Sequence, residues 1–285
     1  MKEAIYLNKS KEEESKRIKE ISVDILKEFI RICDKYELNW FVAYGTAIGT
    51  VRHQGFIPWD DDMDVIMWRE DYEKFMKVAP KEINKQYAIC GAEIQHQVQG
   101  FYLQMYKKGT MFMTKWNARW KIHPGIKLDI FPYDKVPADL KKRKEIYKKT
   151  KRLCFFYKSR NVKIPYTPTK KMKDILLKVA YFVMHYILKI CGKSEKYLAE
   201  EFVKVAKSYK GDSKGYRVLI ESPDPDRWMI KESEVLPLQT AKFEGVEVKL
   251  PAKNHDILTR QYGNYMVLPK IQEQVGHNLE KIKVK

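Results

Sequence analysis

Four aspartates crowd into five consecutive positions, 60 to 64, within the segment Pro58-Trp59-Asp60-Asp61-Asp62-Met63-Asp64-Val65. Carboxylates held this close repel one another, so a fold keeps them together only where positive charge gathers beside them. The apolar flanks, Phe56-Ile57 and Val65-Ile66-Met67, predict a partly buried strand over 62–68. Side chains alternate along a strand, so Asp62 and Asp64 should point the same way, roughly 6.5 to 7 Å apart at the backbone.

Two carboxylates on one face of a strand suit a hard divalent cation. Mg²⁺ prefers carboxylate oxygens, water and substrate phosphates, with Mn²⁺ as an alternative ion. Two-ion sites use such cations to activate the attacking oxygen and to stabilise the leaving one. Acidic clusters also form turns and helix N-caps, but a turn does not require apolar flanks on both sides. We therefore predict a metal site at Asp62 and Asp64.

A glycine turn precedes the acidic run, in Tyr44-Gly45-Thr46-Ala47-Ile48-Gly49-Thr50-Val51-Arg52-His53. The pattern predicts a short strand over 40–44 that turns into a helix over 46–53, whose first N–H groups can approach an oxyanion closely. Thr46 adds a hydroxyl and Arg52 a cation for phosphate. Each glycine alone is explained by turn or helix packing, and His53 by a surface or core position. Beside the Asp-x-Asp strand, the set predicts phosphate binding.

A third carboxylate lies in Lys127-Leu128-Asp129-Ile130-Phe131-Pro132. Asp129 is the only acid in an otherwise apolar strand predicted over 126–131, and burying an unpaired carboxylate there would be costly. It therefore requires a cation or several hydrogen-bond donors. We predict that Asp129 is a third metal ligand and a candidate general base, so the predicted catalytic set is Asp62, Asp64 and Asp129.

The chain predicts an α/β (α+β) fold, with a small mixed sheet, early helices and a basic, mostly helical lobe. At 285 residues, 44% of them hydrophobic, it can bury a proper core. A helix is predicted from a capping box at Ser10 and Glu13 to Tyr36. We predict a catalytic core over 1–135, the lobe over 136–215, and a C-terminal segment over 216–285 that packs back on the core.

The charge is strongly positive, with 55 Lys and Arg against 37 Asp and Glu, a formal +18. Such a field attracts polyanions, including nucleic acid, anionic lipid and nucleotide substrates, although a Lys-rich solvated surface explains it equally. In the lobe, Lys141 to Arg152 holds eight basic residues and one acid. The lobe therefore has three explanations: binding an anionic glycan, resting on an anionic membrane surface, or simple packing. We favour the first two.

The cysteines and the apolar stretches bear on location. Cys33, Cys90, Cys154 and Cys191 have no metal-binding spacing, and Cys33 and Cys191 lie among apolar helical neighbours. We predict small core residues in a reducing compartment. The N-terminus becomes charged too early for a signal peptide, and Ile175 to Cys191 is interrupted by Lys178, His185 and Lys189. The predicted location is cytoplasmic, with the inner face of the membrane as a peripheral site.

Long segments of this chain resemble the LicD family, relatives of fukutin and fukutin-related protein. They are Gly45-Thr46 through Arg52-His53, Gly55-Phe56-Ile57-Pro58-Trp59-Asp60-Asp61-Asp62-Met63-Asp64, and Asp129-Ile130-Phe131-Pro132. Lys253-Asn254-His255-Asp256 and Tyr262-Gly263-Asn264-Tyr265 are similar to the family's closing segment. The resemblance covers 38–132 well and the last third loosely, and its motif block is long enough to be specific.

The resemblance implies a nucleotidyltransferase-like fold that transfers a phospho-substituent from a CDP-linked donor to a sugar hydroxyl. In bacterial members the donor is typically CDP-choline and the acceptor is teichoic acid, lipopolysaccharide or another surface glycan, free or lipid-linked. In the fukutin relatives the donor is CDP-ribitol. The family's metal-binding acids match Asp62 and Asp64, with Asp129 as the third, and Asp60 matches a further acid. The zinc element of the human relative is missing, so zinc is not implied.

We expect the donor pyrophosphate to lie across the metal site near Gly45 and Thr46, neutralised by Arg52 and by Lys107 or Lys108. The predicted substrate-binding residues are Tyr44, Gly45, Thr46, Gly49, Arg52, His53, Trp59, Asp60 and Lys108. A choline group would require aromatic faces. The sequence offers Trp116, Trp120, Phe131, Tyr133 and Tyr157 without selecting among them, and packing explains any single one.

Two other functions are consistent with parts of the sequence. A nucleotidyltransferase acting on nucleic acid or protein would suit the charge of +18 and would bind RNA or DNA in a salt-sensitive way. The chain has no RNA-binding motif, so we expect no nucleic-acid partner. A non-catalytic binding protein of the same fold would tolerate loss of the acids, yet all three are present.

Overall fold

The computed structural model describes residues 2–122, 124–169, 171–276 and 279–284. Nine α-helices occur in these ranges: α1 Lys2–Lys35, α2 Tyr44–His53, α3 Arg69–Glu82, α4 Leu140–Asn161, α5 Met172–Ile190, α6 Glu195–Ala206, α7 Pro225–Trp228, α8 Glu232–Val235 and α9 Asn254–Tyr262. The same ranges contain eleven strands: β1 Phe41–Val42, β2 Asp64–Trp68, β3 Tyr87–Gly91, β4 Leu103–Lys107, β5 Met111–Thr114, β6 Lys127–Lys135, β7 Tyr216–Val218, β8 Ile230–Lys231, β9 Gln239–Phe243, β10 Val246–Leu250 and β11 Leu279–Lys283.

The central sheet is mixed and has the strand order β1-β2-β6-β4-β3. Strands β2 and β6 pair in parallel, whereas β4 pairs with both β6 and β3 in antiparallel fashion. Strand β7 pairs in antiparallel fashion with the last two residues of β6, Asp134 and Lys135, and also with β8. The predicted α/β fold, a mixed sheet flanked by helices, is confirmed.

The two faces of the sheet are buried by different parts of the chain, as the alternation of side chains along a strand dictates. Val65 and Met67 of β2, with Leu128 and Ile130 of β6, pack into the large core under α1 and α3. The opposite face carries Ile66 and Tyr133, which pack with Ile230, Val235 and Ile257 of the C-terminal segment. One end of this second face is left for the acids.

The first helix begins before the predicted start. Helix α1 runs from Lys2 to Lys35, so Ser10 lies inside it and does not form the predicted N-cap. The apolar repeat drives the helix all the same, because Ile25, Leu26 and Phe29 are fully buried against the sheet. A continuous charged stretch of good helix formers lets the helix extend past a capping motif.

Helices α4, α5 and α6 pack together, and a second core includes Tyr157 of α4 and Phe202 of α6. Phe101, just before β4, stacks on Phe202 at 3.6 Å between ring centroids. Residues of the sheet region therefore belong to the core of the helical lobe. This shared core joins the predicted catalytic core, 1–135, to the predicted lobe, 136–215. The boundaries themselves stay a prediction.

One prediction for the cysteines is corrected, and helix α5 shows an exposure that the sequence did not indicate. Cys33, Cys90 and Cys154 are buried free thiols, but Cys191 is exposed, because it follows the last residue of α5 at the surface. Helix α5 is also far more exposed than its apolar sequence predicts. Among the described residues, no single helix is long and apolar enough to cross a membrane, and one bent pair, α5 with α6, meets the length and composition requirement.

Candidate active site

Three carboxylates converge at one end of the β2–β6 pair. Asp64 is the first residue of β2, and its parallel neighbour in register is Asp129 of β6. Direct neighbours in a parallel pair share a face of the sheet, so the two side chains stand side by side. Asp62 lies in the loop before β2, and carboxylate oxygens of Asp62, Asp64 and Asp129 all lie within 4.8 Å of one another.

The route by which Asp62 reaches this cluster differs from the prediction. Strand β2 begins at Asp64, so the alternation of a strand does not position Asp62, as we expected. Instead, the backbone from Asp62 leads directly into the strand, and the carbonyl of Met63 accepts a hydrogen bond from the N–H of Asp129 at 2.9 Å. This bond joins the loop to β6 beside the third acid.

Burial and mutual repulsion make this cluster electrostatically unfavourable on its own. Burial raises the pKa of Asp64 well above its usual range, and the carboxylates of Asp62 and Asp129 raise it further. Asp129 is only 5% exposed. A divalent cation would relieve both effects, because it offers each carboxylate the opposite charge that water no longer supplies.

Two donors hold Asp129 in place. Gln104 of β4 donates from Nε2 to Oδ1 of Asp129 at 2.9 Å, as expected for residues directly opposite in the antiparallel register. Lys127, two residues earlier on β6, forms a buried ion pair with Oδ2. Burial lowers the pKa of Lys127, but Asp129 and Asp62 outweigh burial and raise it overall. Lys127 is therefore a fixed cation beside the acids.

The start of α2 lies against the acids. The N–H of Asp64 donates to the hydroxyl oxygen of Thr46 at 2.9 Å, so Thr46 connects α2 to the first residue of β2. A Cβ atom on Gly45 would lie 2.5 Å from Oδ2 of Asp60. Glycine thus allows the carboxylate of Asp60 to lie directly on the turn, close to where we predicted a phosphate.

The remaining predicted residues of α2, Gly49, Arg52 and His53, lie further along the helix. A Cβ on Gly49 would clash with the backbone oxygen of Gly55, so Gly49 permits the following loop to close over the helix. Arg52, in the last turn of α2, donates to the carbonyl of Tyr265 at 2.5 Å and to Nε2 of His53 at 2.9 Å. Burial, and then Arg52, lower the pKa of His53.

The structure also locates the predicted lysines. Lys108 donates to the carbonyl of Lys85 at 2.9 Å, at the end of β4 beyond Lys107 and four residues past Gln104. Lys107 lines a separate cavity of about 670 Å³ along α1, whose lining includes Lys16, Lys19 and Glu244. In this structure neither of these lysines lines the cavity beside the acids, whereas Lys127 does. The neutralising role of Lys107 or Lys108 stays a prediction.

Trp59 is partly buried against the main core, and its carbonyl lies close to Gly276 of the C-terminal segment. The preceding carbonyl, that of Pro58, accepts a hydrogen bond from Nζ of Lys19 on α1 at 2.9 Å. Burial lowers the pKa of Lys19, while Glu244, Asp60 and Asp61 raise it in part. The loop that carries Asp60, Asp61 and Asp62 is thus held by a hydrogen bond from α1, and Gly276 lies beside it.

A cavity of about 360 Å³ opens over two of the acids, within the usual size of small-molecule sites. The acids Asp62 and Asp129 line it together with Lys127 and Gln104. Its wall also includes polar and aromatic side chains, among them Tyr102, Phe112, Thr114, Trp116 and Asn117. The cavity therefore combines anionic, cationic and aromatic groups in one enclosure.

Aromatic rings continue from this cavity along the second face of the sheet. Tyr102 lies 4.6 Å from Phe131 between centroids, Phe131 lies 5.4 Å from Tyr44, and Tyr44 lies 5.1 Å from Trp228. The hydroxyl groups of Tyr44 and Tyr133 are 3.0 Å apart, and burial raises the pKa of Tyr44 well above its usual range. Tyr44 thus forms part of an aromatic wall beside Asp64.

The aromatic residues offered by the sequence separate into two groups. Trp116 is 54% exposed and lines the cavity, and Phe131 belongs to the wall. By contrast, Trp120, Tyr133 and Tyr157 are buried in the cores. Of these five rings, Trp116 and Phe131 are therefore the ones that a ligand could contact.

Sequence reasoning missed Lys127, Gln104, Tyr102 and Lys19. The alternation Lys127-Leu128-Asp129 places Lys127 and Asp129 on one face of a strand, so that ion pair was detectable. Gln104 and Tyr102 become neighbours of the acids only through the antiparallel pairing of β4 with β6, which no local pattern shows. Lys19 requires knowledge of how α1 packs.

The chain is similar to known proteins along most of its length. Residues 37–181 match the family profile described as LicD/FKTN/FKRP, nucleotidyltransferase domain. The chain is 30% identical over 277 residues to the lipopolysaccharide cholinephosphotransferase LicD of Haemophilus influenzae, covering 91% of this chain and 94% of that protein. The chain belongs to the LicD family. The resemblance drawn from the motifs is confirmed, and the profile spans all three acids of the cluster.

Two further relatives of this LicD-family chain match over shorter segments. The uncharacterized protein RT0683 of Rickettsia typhi is 35% identical over 75 residues, 24% of each chain. The uncharacterized protein RP689 of Rickettsia prowazekii is 33% identical over 57 residues, 20% of this chain and 21% of that one. Of these three relatives, the Haemophilus protein is the one that is similar along nearly the whole chain.

Proposed function

We propose that this LicD-family protein is a metal-dependent transferase that moves phosphocholine from CDP-choline to a hydroxyl of a cell-surface glycan or its lipid-linked precursor. The observation that carries the proposal is the convergence of Asp62, Asp64 and Asp129 within 4.8 Å. Two of these acids line a cavity together with the ammonium group of Lys127. The Haemophilus relative, named a lipopolysaccharide cholinephosphotransferase, supports the choice of transferred group.

The three acids fit a Mg²⁺ site, or a Mn²⁺ site, in number and chemistry. All three offer carboxylate oxygens, the ligands that both ions accept. Burial first, and then the neighbouring carboxylates of Asp62 and Asp129, raise the pKa of Asp64, and a bound cation would offset both effects. Asp60 and Asp61 form a second acidic group with Asp62. Bound there, the ion would neutralise the phosphates and stabilise charge on the leaving group.

The protein's own residues would orient the donor. Lys127 lines the cavity beside Asp129, so its ammonium is placed to contact a phosphate oxygen. Gln104 fixes the carboxylate of Asp129, and Thr46 fixes the backbone of Asp64. The Gly45 turn lies at the start of α2, whose first N–H groups carry partial positive charge. Because the carboxylate of Asp60 lies against that turn, the donor's second phosphate would approach it together with a bound cation.

The transfer itself is a single displacement at phosphorus. The acceptor hydroxyl oxygen forms a bond to the phosphorus that bears choline, while the bond from that phosphorus to the bridging oxygen breaks. CMP leaves with the bonding electron pair, and the hydroxyl proton passes to a carboxylate of the cluster. We keep Asp129 as the candidate base, with Gln104 and Lys127 holding it in position.

A choline group would find aromatic faces in the same cavity. A quaternary ammonium binds by contact with the electron-rich faces of such rings. Tyr102 and Trp116 both line the cavity that contains Asp62 and Asp129, and Tyr102 continues into the wall through Phe131. We propose that Tyr102 and Trp116 contact the headgroup, because these rings and the acids enclose a single space.

A thermal-shift screen with Mg²⁺ tests the donor directly. CDP-choline, CDP-ethanolamine, CDP-glycerol and CDP-ribitol are compared, and the true donor should raise the melting temperature by mass action. We expect CDP-choline to give the largest shift and Trp116→Ala to reduce that shift selectively. An equal shift from CDP-glycerol in wild type would reject choline as the headgroup while leaving the metal site intact.

A transfer assay then tests the chemistry. Release of CMP from CDP-choline in the presence of a cell-surface glycan should require Mg²⁺ and should be lost in Asp62→Ala and Asp64→Ala, with unchanged circular dichroism. Retained transfer in either folded variant would refute the assignment of these acids.

A further inference from the structure

Helix α5 has its polar and apolar sides reversed relative to an ordinary surface helix. Surface helices of globular proteins turn apolar residues inward and charged residues outward. In α5 the buried positions include Asp174 and His185 together with Leu188. Nδ1 of His185 donates a hydrogen bond at 2.9 Å to the carbonyl of Ser159 on α4. The contact between α5 and α4 is therefore built partly from polar groups.

The opposite side of α5 is a continuous apolar stripe in water. Positions spaced by three and four residues lie on one side of a helix, and those facing outward here are large and apolar. Their exposed fractions are 70% for Met172, 63% for Leu176, 54% for Val179, 48% for Val183, 45% for Ile187 and 86% for Ile190. A contiguous apolar patch of this kind on a water-exposed surface marks an interaction site.

The charges around the stripe are positive. Lys173 and Lys189 on α5 are exposed, and the helix's one acid, Asp174, is buried. Lys163, in the loop before α5, lies over the rings of Phe182 and Tyr186 at 4.6 and 4.8 Å from their centroids. An apolar stripe bordered by lysines suits a surface that combines an apolar interior with negative headgroups.

The geometry of the neighbouring helix indicates that α5 would lie along such a surface. Helices α5 and α6 meet the requirements for a membrane span only as a pair bent by 101°. The apolar residues of α6, Leu198 and Phe202 among them, are already buried in the lobe's core. Of the two helices, α5 is therefore the one whose apolar side remains exposed. A helix with one apolar side lies in the plane of the membrane–water interface.

We propose that the outward stripe of α5 docks this protein on an anionic lipid bilayer, with the helix parallel to the membrane plane. Phosphatidylglycerol-type headgroups would contact the bordering lysines, and the stripe from Met172 to Ile190 would enter the acyl boundary. This inference is independent of the proposed transfer reaction. Pairing of two copies through the same stripe is less favourable, because it would bring their bordering lysines together.

A matched pair of double variants tests the proposal by vesicle co-sedimentation. Leu176→Glu with Ile190→Glu places two acids in the stripe. Val267→Glu with Ile271→Glu makes the same charge change at equally exposed apolar residues, 62% and 84% against 63% and 86%. With vesicles of equal parts phosphatidylglycerol and phosphatidylcholine, the first variant should bind about tenfold more weakly or worse. The second should bind like wild type.

Cys191 provides a direct readout of α5. It is the exposed cysteine at the end of the helix, while Cys33, Cys90 and Cys154 are buried, so a polarity-sensitive fluorophore labels it selectively. Anionic vesicles should shift the emission to the blue, and pure phosphatidylcholine should do so less. An unchanged emission, equal loss of binding in both double variants, or a vesicle-independent dimer that Leu176→Glu with Ile190→Glu dissociates would each overturn the proposal.

Discussion

At the scale of single residues, the candidate site concentrates negative charge where the fold alone does not stabilise it. Asp64 and Asp129 are in register on adjacent strands, and burial and neighbouring carboxylates hold the pKa of Asp64 well above its usual range. Such an arrangement lowers the free energy of unfolding in the absence of a cation. Functional sites commonly carry a stability cost of this kind.

Asp64→Asn should therefore stabilise the protein in EDTA, by on the order of 1 kcal/mol at neutral pH. A carboxyl whose pKa is higher in the folded than in the unfolded state destabilises the fold when ionised. This penalty shrinks as pH falls below the folded-state pKa and is gone below the unfolded-state pKa. The advantage of the variant in urea unfolding should shrink accordingly at acid pH. A variant less stable than wild type at neutral pH would contradict this electrostatic account.

Lys127→Met should have the opposite effect. Removing one partner of a buried ion pair leaves the other charge unpaired, which costs about 3 kcal/mol, and Lys127 and Asp129 are both largely buried. Because a divalent ion replaces the missing charge, Mg²⁺ should raise the melting temperature of the variant more than that of wild type. Lys108→Met is the control, since Lys108 donates to a backbone carbonyl in an exposed turn. Equal Mg²⁺ shifts in all three proteins would oppose the prediction.

The residue-level content of the site was only partly accessible from sequence. Asp62, Asp64 and Asp129 stand out because acids in apolar strands are costly, and the structure brings them together. Gln104 does not stand out in this way, because a neutral amide in a strand is far less costly to bury than a carboxylate. Only the register of β4 against β6 places it opposite Asp129. Arg52 stays a predicted phosphate ligand. The sequence could not show that it also donates to the carbonyl of Tyr265, more than two hundred positions away.

At the scale of elements, α2 contains two glycines, Gly45 and Gly49, that are needed for different reasons. A Cβ atom added to Gly45 would meet the end of the Asp60 side chain, whereas one added to Gly49 would meet the backbone oxygen of Gly55. Backbone yields less readily than the end of a side chain. The first glycine therefore concerns the site, and the second concerns the fold.

Gly49→Ala should lower the free energy of unfolding by roughly 1 to 3 kcal/mol, as overpacking of a tight contact does. Gly45→Ala should unfold close to wild type yet lose transfer activity, because the displaced Asp60 carboxylate disturbs the phosphate end of the site. Urea denaturation and CMP release measure the two effects separately. If Gly45→Ala is the less stable variant, the assignment of the two glycines is reversed.

Periodic patterns predicted the elements well where a single side of a helix or strand is buried. Helix α2 ends at His53, as predicted, and β6 starts at Lys127, one residue after the predicted start. Helix boundaries set by a capping motif were less reliable, since α1 continues past Ser10 to Lys2. For α5, the apolar pattern gave a helix but not its orientation, because the pattern cannot show which side meets water.

At the scale of the whole molecule, the charge of +18 predicts electrostatic binding to any polyanion, whatever the enzyme does. RNA or DNA binding should therefore fall steeply with salt, whereas donor binding in the cavity beside the acids should fall much less. Fluorescence anisotropy with a labelled oligonucleotide at increasing salt measures the first, and thermal shift with CDP-choline the second. Salt-resistant RNA binding would favour the nucleic-acid alternative over glycan modification.

Calorimetric titration of Mg²⁺ into the CDP-choline-saturated protein tests most directly whether Asp62, Asp64 and Asp129 together hold a divalent cation used in transfer. Wild type should bind the ion, and Asp64→Asn and Asp129→Asn should each bind it about tenfold more weakly or worse, with folds intact by circular dichroism. Mg²⁺ affinity unchanged in both variants would contradict the account.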